Sequence, residues 1–329
     1  MISETEITTE TKILELPQIN LDDINSDDIK DALTNWGTFE LVGSTINKLR
    51  SLAKNALETS EKLFKLSKEE LQKVADKPDR DREFHGYQNV RKETKESALL
   101  GKGPVRSQKA FHYKPYKKEQ RIPEGLDATS YSEYYMERMK VLQRLYKAIT
   151  EKIFTIDPAR RSGFENDDRS VLTARKYKKP KKEGETGIPP HSDFGLLTLV
   201  VSDQPGLEVY KNRQWVAAPS GPDLRFYINV GDWSLIQLNN ESFTVGLHRV
   251  PEVKDVRHSL ALFLNPGFSE ELATPKGGKV TFGEYLKHNN KSAYFAKGRV
   301  SIKSEKSENK DVANSVEQKE DQSQTLKNN

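Results

Sequence analysis

The chain has 329 residues, a length that suits one large domain or two small ones. Its 53 lysines and arginines nearly balance 49 aspartates and glutamates, and a net charge of +4 is too small to indicate binding to nucleic acid. Cysteine is absent, which excludes disulfides, thiolate nucleophiles and iron–sulfur clusters, so a bound metal needs His, Asp or Glu ligands. The apolar runs are far shorter than the roughly 20 residues that span a bilayer, and the acidic start is unlike a signal peptide. We therefore expect a cytoplasmic protein that contacts no membrane.

Helical patterns dominate the first half of the chain. Residues 1–11 are polar and are expected to be flexible. In chain order, the pattern predicts a short strand near 13–21, a helix over 22–35, a strand after Trp36-Gly37, a helix from Ser44, and another from Ser67, where Ser67 and Glu70 form a capping box. Residues 77–128 are expected to be irregular. A long helix is predicted from Ser132 to Phe154, and its apolar stripe indicates core packing.

The pattern changes after residue 170 to short β-rich runs separated by Gly, Pro and Asn. Strands are predicted near 171–177, 191–202, 206–210, 214–217, 223–230, 233–238, 245–250 and 257–264. Many short strands at this spacing favour a sandwich or barrel, so the fold class is predicted as α+β, with helices outside a β-core. From about residue 300 the composition is charged and without aromatics, and we expect a disordered tail over 300–329.

A candidate metal site lies in this β-rich half. His191 and Asp193 are two residues apart, so on one strand both side chains point to the same face. Together with His248 they provide the two histidines and one carboxylate that hold non-haem Fe(II) in a facial triad. Each element alone has an ordinary explanation: a surface turn after Pro189-Pro190, or a structural strand histidine.

Arg257 and Ser259 repeat the same spacing on a later predicted strand. A guanidinium and a hydroxyl on one strand face can hold a carboxylate, here that of a small dicarboxylate beside the metal. An ion pair with a structural Asp or Glu is the alternative for Arg257. His258 would face the opposite side of that strand, and we assign no metal to it or to His85, His112 and His288.

The segment from about 171 to 268 resembles the 2-oxoglutarate- and Fe(II)-dependent dioxygenases, in the branch that includes isopenicillin N synthase. The matching stretches, in order, are His191-Ser192-Asp193-Phe194-Gly195-Leu196-Leu197-Thr198-Leu199, Pro205-Gly206-Leu207-Glu208-Val209, Asn229-Val230-Gly231-Asp232, His248-Arg249-Val250-Pro251 and Arg257-His258-Ser259-Leu260-Ala261-Leu262-Phe263. A looser likeness extends over the N-terminal half, so the resemblance covers roughly residues 13–290.

The resemblance implies a double-stranded β-helix, or distorted jelly roll, over 161–295, with a helical region over 12–160 packed on it. It implies that His191, Asp193 and His248 hold Fe(II), and that Arg257 and Ser259 bind the distal carboxylate of 2-oxoglutarate. Tyr177 falls where the family often has a tyrosine that reaches this cosubstrate, although an ordinary strand tyrosine remains the alternative.

The expected reaction is hydroxylation of a small organic metabolite, in which O2 is consumed and 2-oxoglutarate becomes succinate and CO2. Ascorbate is a further reductant that such an enzyme can use, and we expect a monomer. Two alternatives stay open. One is an Fe(II) oxidase of the same fold that does not use 2-oxoglutarate; the other is a non-catalytic binding protein.

Overall fold

The computed structural model describes residues 13–75, 85–90, 108–117, 121–153, 170–180, 186–221, 223–238, 243–244, 246–273 and 279–289. These residues belong to a compact unit within Met1–Lys291. The predictions of a flexible segment at 1–11 and a disordered tail at 300–329 fall outside the described residues. Among the described helices, none is long and apolar enough to cross a membrane.

The helices of the first half begin close to where the sequence predicts them. Over the whole chain, the described helices are α1 (Ser26–Asn35), α2 (Ser44–Lys65), α3 (Lys68–Lys73), α4 (Thr129–Lys147), α5 (Asp232–Leu238) and α6 (Phe282–Asn289), with a π-helical turn over Ala148–Ile153 after α4. The capping box before α3 is present, since the Glu70 backbone N–H donates to Ser67 Oγ at 3.1 Å and the Ser67 N–H donates to the Glu70 carboxylate at 2.8 Å.

Two main β-sheets form the core of the unit. The strands are β1 (Gln18–Asn20), β2 (Thr38–Val42), β3 (Gly86–Val90), β4 (Gln108–Tyr113), β5 (Val171–Tyr177), β6 (Ile188–His191), β7 (Leu197–Ser202), β8 (Glu208–Lys211), β9 (Gln214–Ala217), β10 (Phe226–Val230), β11 (His248–Val250), β12 (Arg257–Leu264), β13 (Glu271–Ala273) and β14 (Lys279–Thr281). The larger sheet has the order β1-β2-β10-β7-β12-β5-β4-β3, and the smaller has the order β6-β11-β8-β9. A third sheet pairs β13 with β14.

The larger sheet has an apolar outer face and a more polar inner face. Leu199, Leu260 and Leu262 are fully buried on the outer face, where α2 and α4 contact β12. On the inner face, Tyr227 packs in one buried cluster with Val209 and Val216 of the smaller sheet. The two sheets therefore enclose a core between them, and the predicted α+β jelly-roll class is confirmed.

Three local predictions were wrong. Segment 233–238 lies in α5 and is not a strand. Its residues are buried on several sides, so the short apolar run shows neither the alternation of a strand nor the 3.6-residue period of a helix, and the sequence pattern cannot distinguish the two. The strand predicted over 191–202 is two strands, β6 and β7, separated by the turn that carries Asp193. The region 77–128 includes β3 and β4, which join the larger sheet beside β5.

A buried cation lies inside the helix layer. Arg138 of α4 is fully buried, and its three guanidinium nitrogens have no hydrogen-bond partner within the described part of the chain. Its guanidinium carbon lies 4.5 Å from the centre of the Tyr134 ring. Burial lowers the pKa of Arg138 to about 10, which indicates that the charged form is unfavourable at this position.

Replacing this cation with an apolar side chain of similar length should stabilise the fold. We expect Arg138→Met to raise the free energy of unfolding by about 1–3 kcal/mol, because the desolvation cost of an unpaired buried charge is removed. The measurement is equilibrium urea unfolding, with Arg144→Met on the same helix as the control, which should change stability by less than about 0.5 kcal/mol because Arg144 is exposed. Destabilisation by Arg138→Met would mean that the guanidinium is paired in solution.

Candidate active site

Three potential metal ligands converge at the end of the smaller sheet. His191 ends β6 and His248 begins β11, and the two residues are direct partners in the antiparallel register, with ring centroids 4.2 Å apart. Asp193 is buried in the turn after β6. Its Oδ1 lies 3.9 Å from His191 Nε2, and its Oδ2 lies 3.9 Å from His248 Nε2. All three ligand atoms fall within 4.8 Å of one another, which is close enough to share a single ion.

Backbone carbonyls orient both imidazoles. His191 Nδ1 is 2.9 Å from the Pro189 carbonyl oxygen, and His248 Nδ1 is 2.8 Å from the Gly246 carbonyl oxygen. An Nδ1–H that donates to a carbonyl leaves the Nε2 lone pair directed at the ligand cluster. Desolvation, followed by the neighbouring His248, lowers the pKa of His191 below its usual range, so this ring is neutral at neutral pH, as metal coordination requires.

The turn that carries Asp193 is held by the start of α5. The Asp232 N–H donates to the Asp193 carbonyl oxygen at 2.8 Å, and the Asp232 carboxylate accepts from Ser192 Oγ and from the Tyr285 hydroxyl, each at 3.1 Å. Burial raises the pKa of Asp232 to about 6. The matching stretch Asn229-Val230-Gly231-Asp232 signalled this region, but its local role was missed because the following residues were predicted to be a strand.

Asn229 also touches the ligand cluster. Its Nδ2 is 3.2 Å from His248 Nε2 and 3.5 Å from Asp193 Oδ2, while its Oδ1 accepts a hydrogen bond from Thr38 Oγ1 at 3.1 Å. The Thr38 contact fixes which end of the amide faces the ligands. Asn229 therefore links the middle of the larger sheet to the candidate metal centre, a role that sequence reasoning did not assign.

The predicted carboxylate site lies on the inner face of the larger sheet. Arg257 of β12 is the direct partner of Tyr177 on β5, and its guanidinium carbon lies 4.8 Å from the centre of that ring. The Tyr177 hydroxyl is 3.3 Å from Ser259 Oγ. Arg257 Nε donates to the Gln204 carbonyl oxygen at 3.1 Å, whereas Nη1 is buried without a partner among the described residues. A buried guanidinium nitrogen without a partner among the described residues can donate a hydrogen bond to the carboxylate of a bound ligand.

The remaining described histidine side chains lie away from the ligand cluster. His258 faces the opposite side of β12, where Nδ1 is 2.9 Å from Asp203 Oδ2 and the ring stacks on Phe64. His112 of β4 has Nδ1 3.0 Å from Thr173 Oγ1. The side chain of His288 is outside the described set.

Two family models match the chain. The model described as "non-haem dioxygenase in morphine synthesis N-terminal" matches residues 16–130, and the model of the 2OG-Fe(II) oxygenase superfamily matches residues 169–266. The second match includes all three candidate ligands and the three residues Arg257, Ser259 and Tyr177, which we call the clamp. The chain belongs to the 2-oxoglutarate/Fe(II) oxygenase superfamily, a group of non-haem iron enzymes.

Individual relatives agree with this assignment. The chain is 28% identical over 311 residues to an oxoglutarate-dependent flavonoid 7-O-demethylase 1 from Ocimum basilicum, covering 87% of this chain and 80% of the relative. A solved structure of JOX2 in complex with 2OG, Fe and JA superposes with a TM-score of 0.67 at 21% identity, covering 87% of this chain and 88% of JOX2. The dioxygenase for auxin oxidation 1 from Arabidopsis thaliana, solved with 2-oxoglutarate, has a TM-score of 0.59 at 19% identity, covering 79% of this chain and 96% of that protein. At these identities the two structures show the fold alone.

A side chain at Gly231 should displace the turn that holds Asp193. A Cβ there would collide with the backbone oxygen of Gly195 and would lie 3.2 Å from the Asp193 carbonyl oxygen. We expect Gly231→Ala to lower the free energy of unfolding by about 2–3 kcal/mol and to reduce Fe(II) content, because backbone must move to relieve the clash. Chemical denaturation and iron quantification measure the two effects.

Gly221→Ala is the matched control, since a Cβ at Gly221 meets nothing within 4 Å. It should leave both quantities unchanged. If the Gly231→Ala variant is as stable as the wild type and binds a full complement of iron, the close contact between Gly231 and Gly195 does not position Asp193.

Proposed function

We propose that this protein is an oxygenase that uses Fe(II) and 2-oxoglutarate to oxidise, most simply to hydroxylate, a small organic molecule. One observation carries the proposal: the ligand atoms of His191, Asp193 and His248 converge, and Arg257 is buried with a guanidinium nitrogen that has no partner among the described residues. The donor set fits the metal, because two imidazoles and one carboxylate leave open positions for other ligands. The unpartnered nitrogen fits a carboxylate of the cosubstrate.

The strand that carries His248 also packs on the clamp. Val250, at the other end of β11, lies in one buried cluster with Tyr177, and Tyr177 is the direct partner of Arg257. A three-residue strand spans only about 10 Å, so this packing supports a single site in which one small dicarboxylate reaches both the metal and the guanidinium.

Each residue then has a defined task. His191, Asp193 and His248 would hold Fe(II), with both imidazoles fixed by their Nδ1 hydrogen bonds. Arg257 and Ser259 would bind the distal carboxylate of 2-oxoglutarate, and Tyr177 would hold the Ser259 hydroxyl in place. The bound iron supplies the oxidising chemistry, in which O2 and 2-oxoglutarate are consumed, the substrate gains a hydroxyl, and succinate and CO2 are released. The protein contributes orientation and a site with little access to water.

The alternative of an Fe(II) oxidase without 2-oxoglutarate uses the same three ligands. The buried Arg257–Ser259–Tyr177 cluster favours the cosubstrate, because a fully desolvated cation without a counter-ion costs free energy unless a ligand pairs with it. Succinate release in step with substrate oxidation separates the two functions. The same proposal includes a place for this protein in the isopenicillin N synthase-like branch and a small-molecule substrate, without contacts to nucleic acid or membrane. It also includes use of ascorbate as a reductant, a monomeric state and a cytoplasmic location.

Anaerobic titration of the protein with Fe(II) and 2-oxoglutarate tests the proposal directly. We expect a visible charge-transfer absorption band when both are present, because the keto acid would chelate the iron, and we expect His191→Ala to lose it. If the wild-type protein shows no band under saturating conditions, the proposed cosubstrate is wrong.

Arg257→Met should separate cosubstrate binding from metal binding. We expect the dissociation constant of 2-oxoglutarate to rise about 10- to 100-fold while Fe(II) content is unchanged, because one charge-assisted hydrogen-bonding pair is lost. Arg213→Met, in the exposed turn between β8 and β9, removes the same charge and should have no effect. Equal 2-oxoglutarate affinity in Arg257→Met and wild type would reject the clamp.

A further inference from the structure

A second cation lies on the inner face of the larger sheet, next to the Arg257 clamp. Arg175 and Tyr177 are alternate residues of β5 and therefore project from the same face. In the register of the sheet, the partner of Arg175 on β12 is Ser259, and its partner on β4 is Ala110. Arg175 thus occupies the position directly beside the clamp.

The side chain of Arg175 extends to β4, where it contacts Gln108, the register partner of Tyr177. Its Nη1 donates to Gln108 Oε1 at 3.1 Å. Gln108 is 3% exposed, and its Nε2 is buried with no hydrogen-bond partner in the described part of the chain. Oε1 of Gln108 accepts a hydrogen bond from the guanidinium. A half-turn of the amide would place its NH2 group against the N–H donor of Arg175, so the NH2 group keeps its position and can donate to a ligand.

The charge on Arg175 has no counter-ion among the described residues, since no carboxylate there forms a salt bridge with it. In the sheet, Arg175 lies opposite Ser259 and two residues from Tyr177 on the same face, so it is next to the proposed cosubstrate site. With the proposed ligands bound, the negative charges of Asp193 and dianionic 2-oxoglutarate would balance the positive charges of Fe(II) and Arg257. The positive charge of Arg175 would then remain unbalanced.

The neighbouring polar groups on this face are neutral. Burial, followed by Arg175, holds the pKa of His112 well below its usual range, so the ring is uncharged at neutral pH. His112 is joined to Thr173 at 3.0 Å, and Thr173 precedes Arg175 by two residues on the same face of β5. These groups can donate and accept hydrogen bonds, but they cannot neutralise a guanidinium.

We propose that Arg175 and Gln108 form the substrate-anchoring site of this enzyme and that its substrate is an organic acid bound through a carboxylate. The guanidinium and the amide NH2, which has no partner among the described residues, offer neighbouring donors, and a single negative charge would balance the site. The proposal rests on the function given above, since it assumes that Arg257 holds 2-oxoglutarate. The competing use of Arg175 is binding of 2-oxoglutarate itself. The hydrogen bond from its Nη1 to Gln108 favours the substrate role, and the substitutions below distinguish the two uses.

The test uses the anaerobic complex with Fe(II) and saturating 2-oxoglutarate, so that binding is measured without turnover. Benzoate, cinnamate and decanoate are titrated alongside their methyl esters, and binding is read from perturbation of the charge-transfer band and from the thermal shift. We expect at least one acid to bind the wild type about 10-fold or more tightly than its ester, because the ester cannot pair with a guanidinium.

Substitutions assign that preference to a residue. Arg175→Met should remove the preference for the acid and leave the dissociation constant of 2-oxoglutarate unchanged, while Arg175→Lys should restore part of it. Lys176→Met is the matched control, because Lys176 is the next residue on β5 and faces the opposite side of the sheet. Gln108→Leu should raise the dissociation constant of the acid by a smaller factor than Arg175→Met does, since it removes a neutral donor rather than a charge.

Two results would overturn the proposal. One is that no acid outperforms its ester in the wild type. The other is that Arg175→Met weakens the binding of 2-oxoglutarate and leaves the binding of the acid unchanged, which would place Arg175 in the cosubstrate site. Absence of the charge-transfer band in the wild type would instead reject the function on which the proposal rests, so the two failures are distinguishable.

Discussion

Asp193 reaches the two histidines because the first residue of α5 holds the turn on which it lies. His191 and His248 are placed by strand pairing within the smaller sheet, but the carboxylate belongs to neither strand. The hydrogen bond from the Asp232 N–H to the Asp193 carbonyl oxygen, and the close passage of Gly231 past Gly195, tie this turn to the end of β10 in the larger sheet. The ligand cluster therefore exists only when both sheets are assembled, and the site and the fold are coupled through one backbone contact.

The inner face of the larger sheet adds a second constraint, which is electrostatic. Arg257 and Arg175 lie there without carboxylate partners among the described residues, while the hydrogen bonds that they do form go to a carbonyl and an amide. Such an arrangement is unfavourable in the protein alone and becomes favourable when anions bind, since ligands that bind only the folded state stabilise it. Metal, cosubstrate and substrate are each expected to contribute to the stability of the working enzyme.

Strand predictions succeeded where burial on one side left an alternating pattern. β5 and β12 were predicted at their observed limits, and the phase of β12 correctly put Arg257 and Ser259 on one face, with His258 on the other. The prediction failed at 233–238, where burial around α5 removes the alternation, and at 191–202, where a turn interrupts two strands. These two failures lie at the same place, the junction between Asp193 and α5, whereas the missed strands β3 and β4 lie at one edge of the larger sheet.

The sequence by itself determined which side chains are available: two histidines and an aspartate with the right chemistry, a cation and a hydroxyl two residues apart, and the family to which the chain belongs. These follow from residue identity and from short spacings that the backbone period converts into shared faces. Only the tertiary structure decided that Asp193 comes from a turn rather than a strand, that Asn229 faces the ligands, and that Arg175 turns toward Gln108. Each of these depends on contacts between residues far apart in the chain, and local pattern carries no information about such contacts.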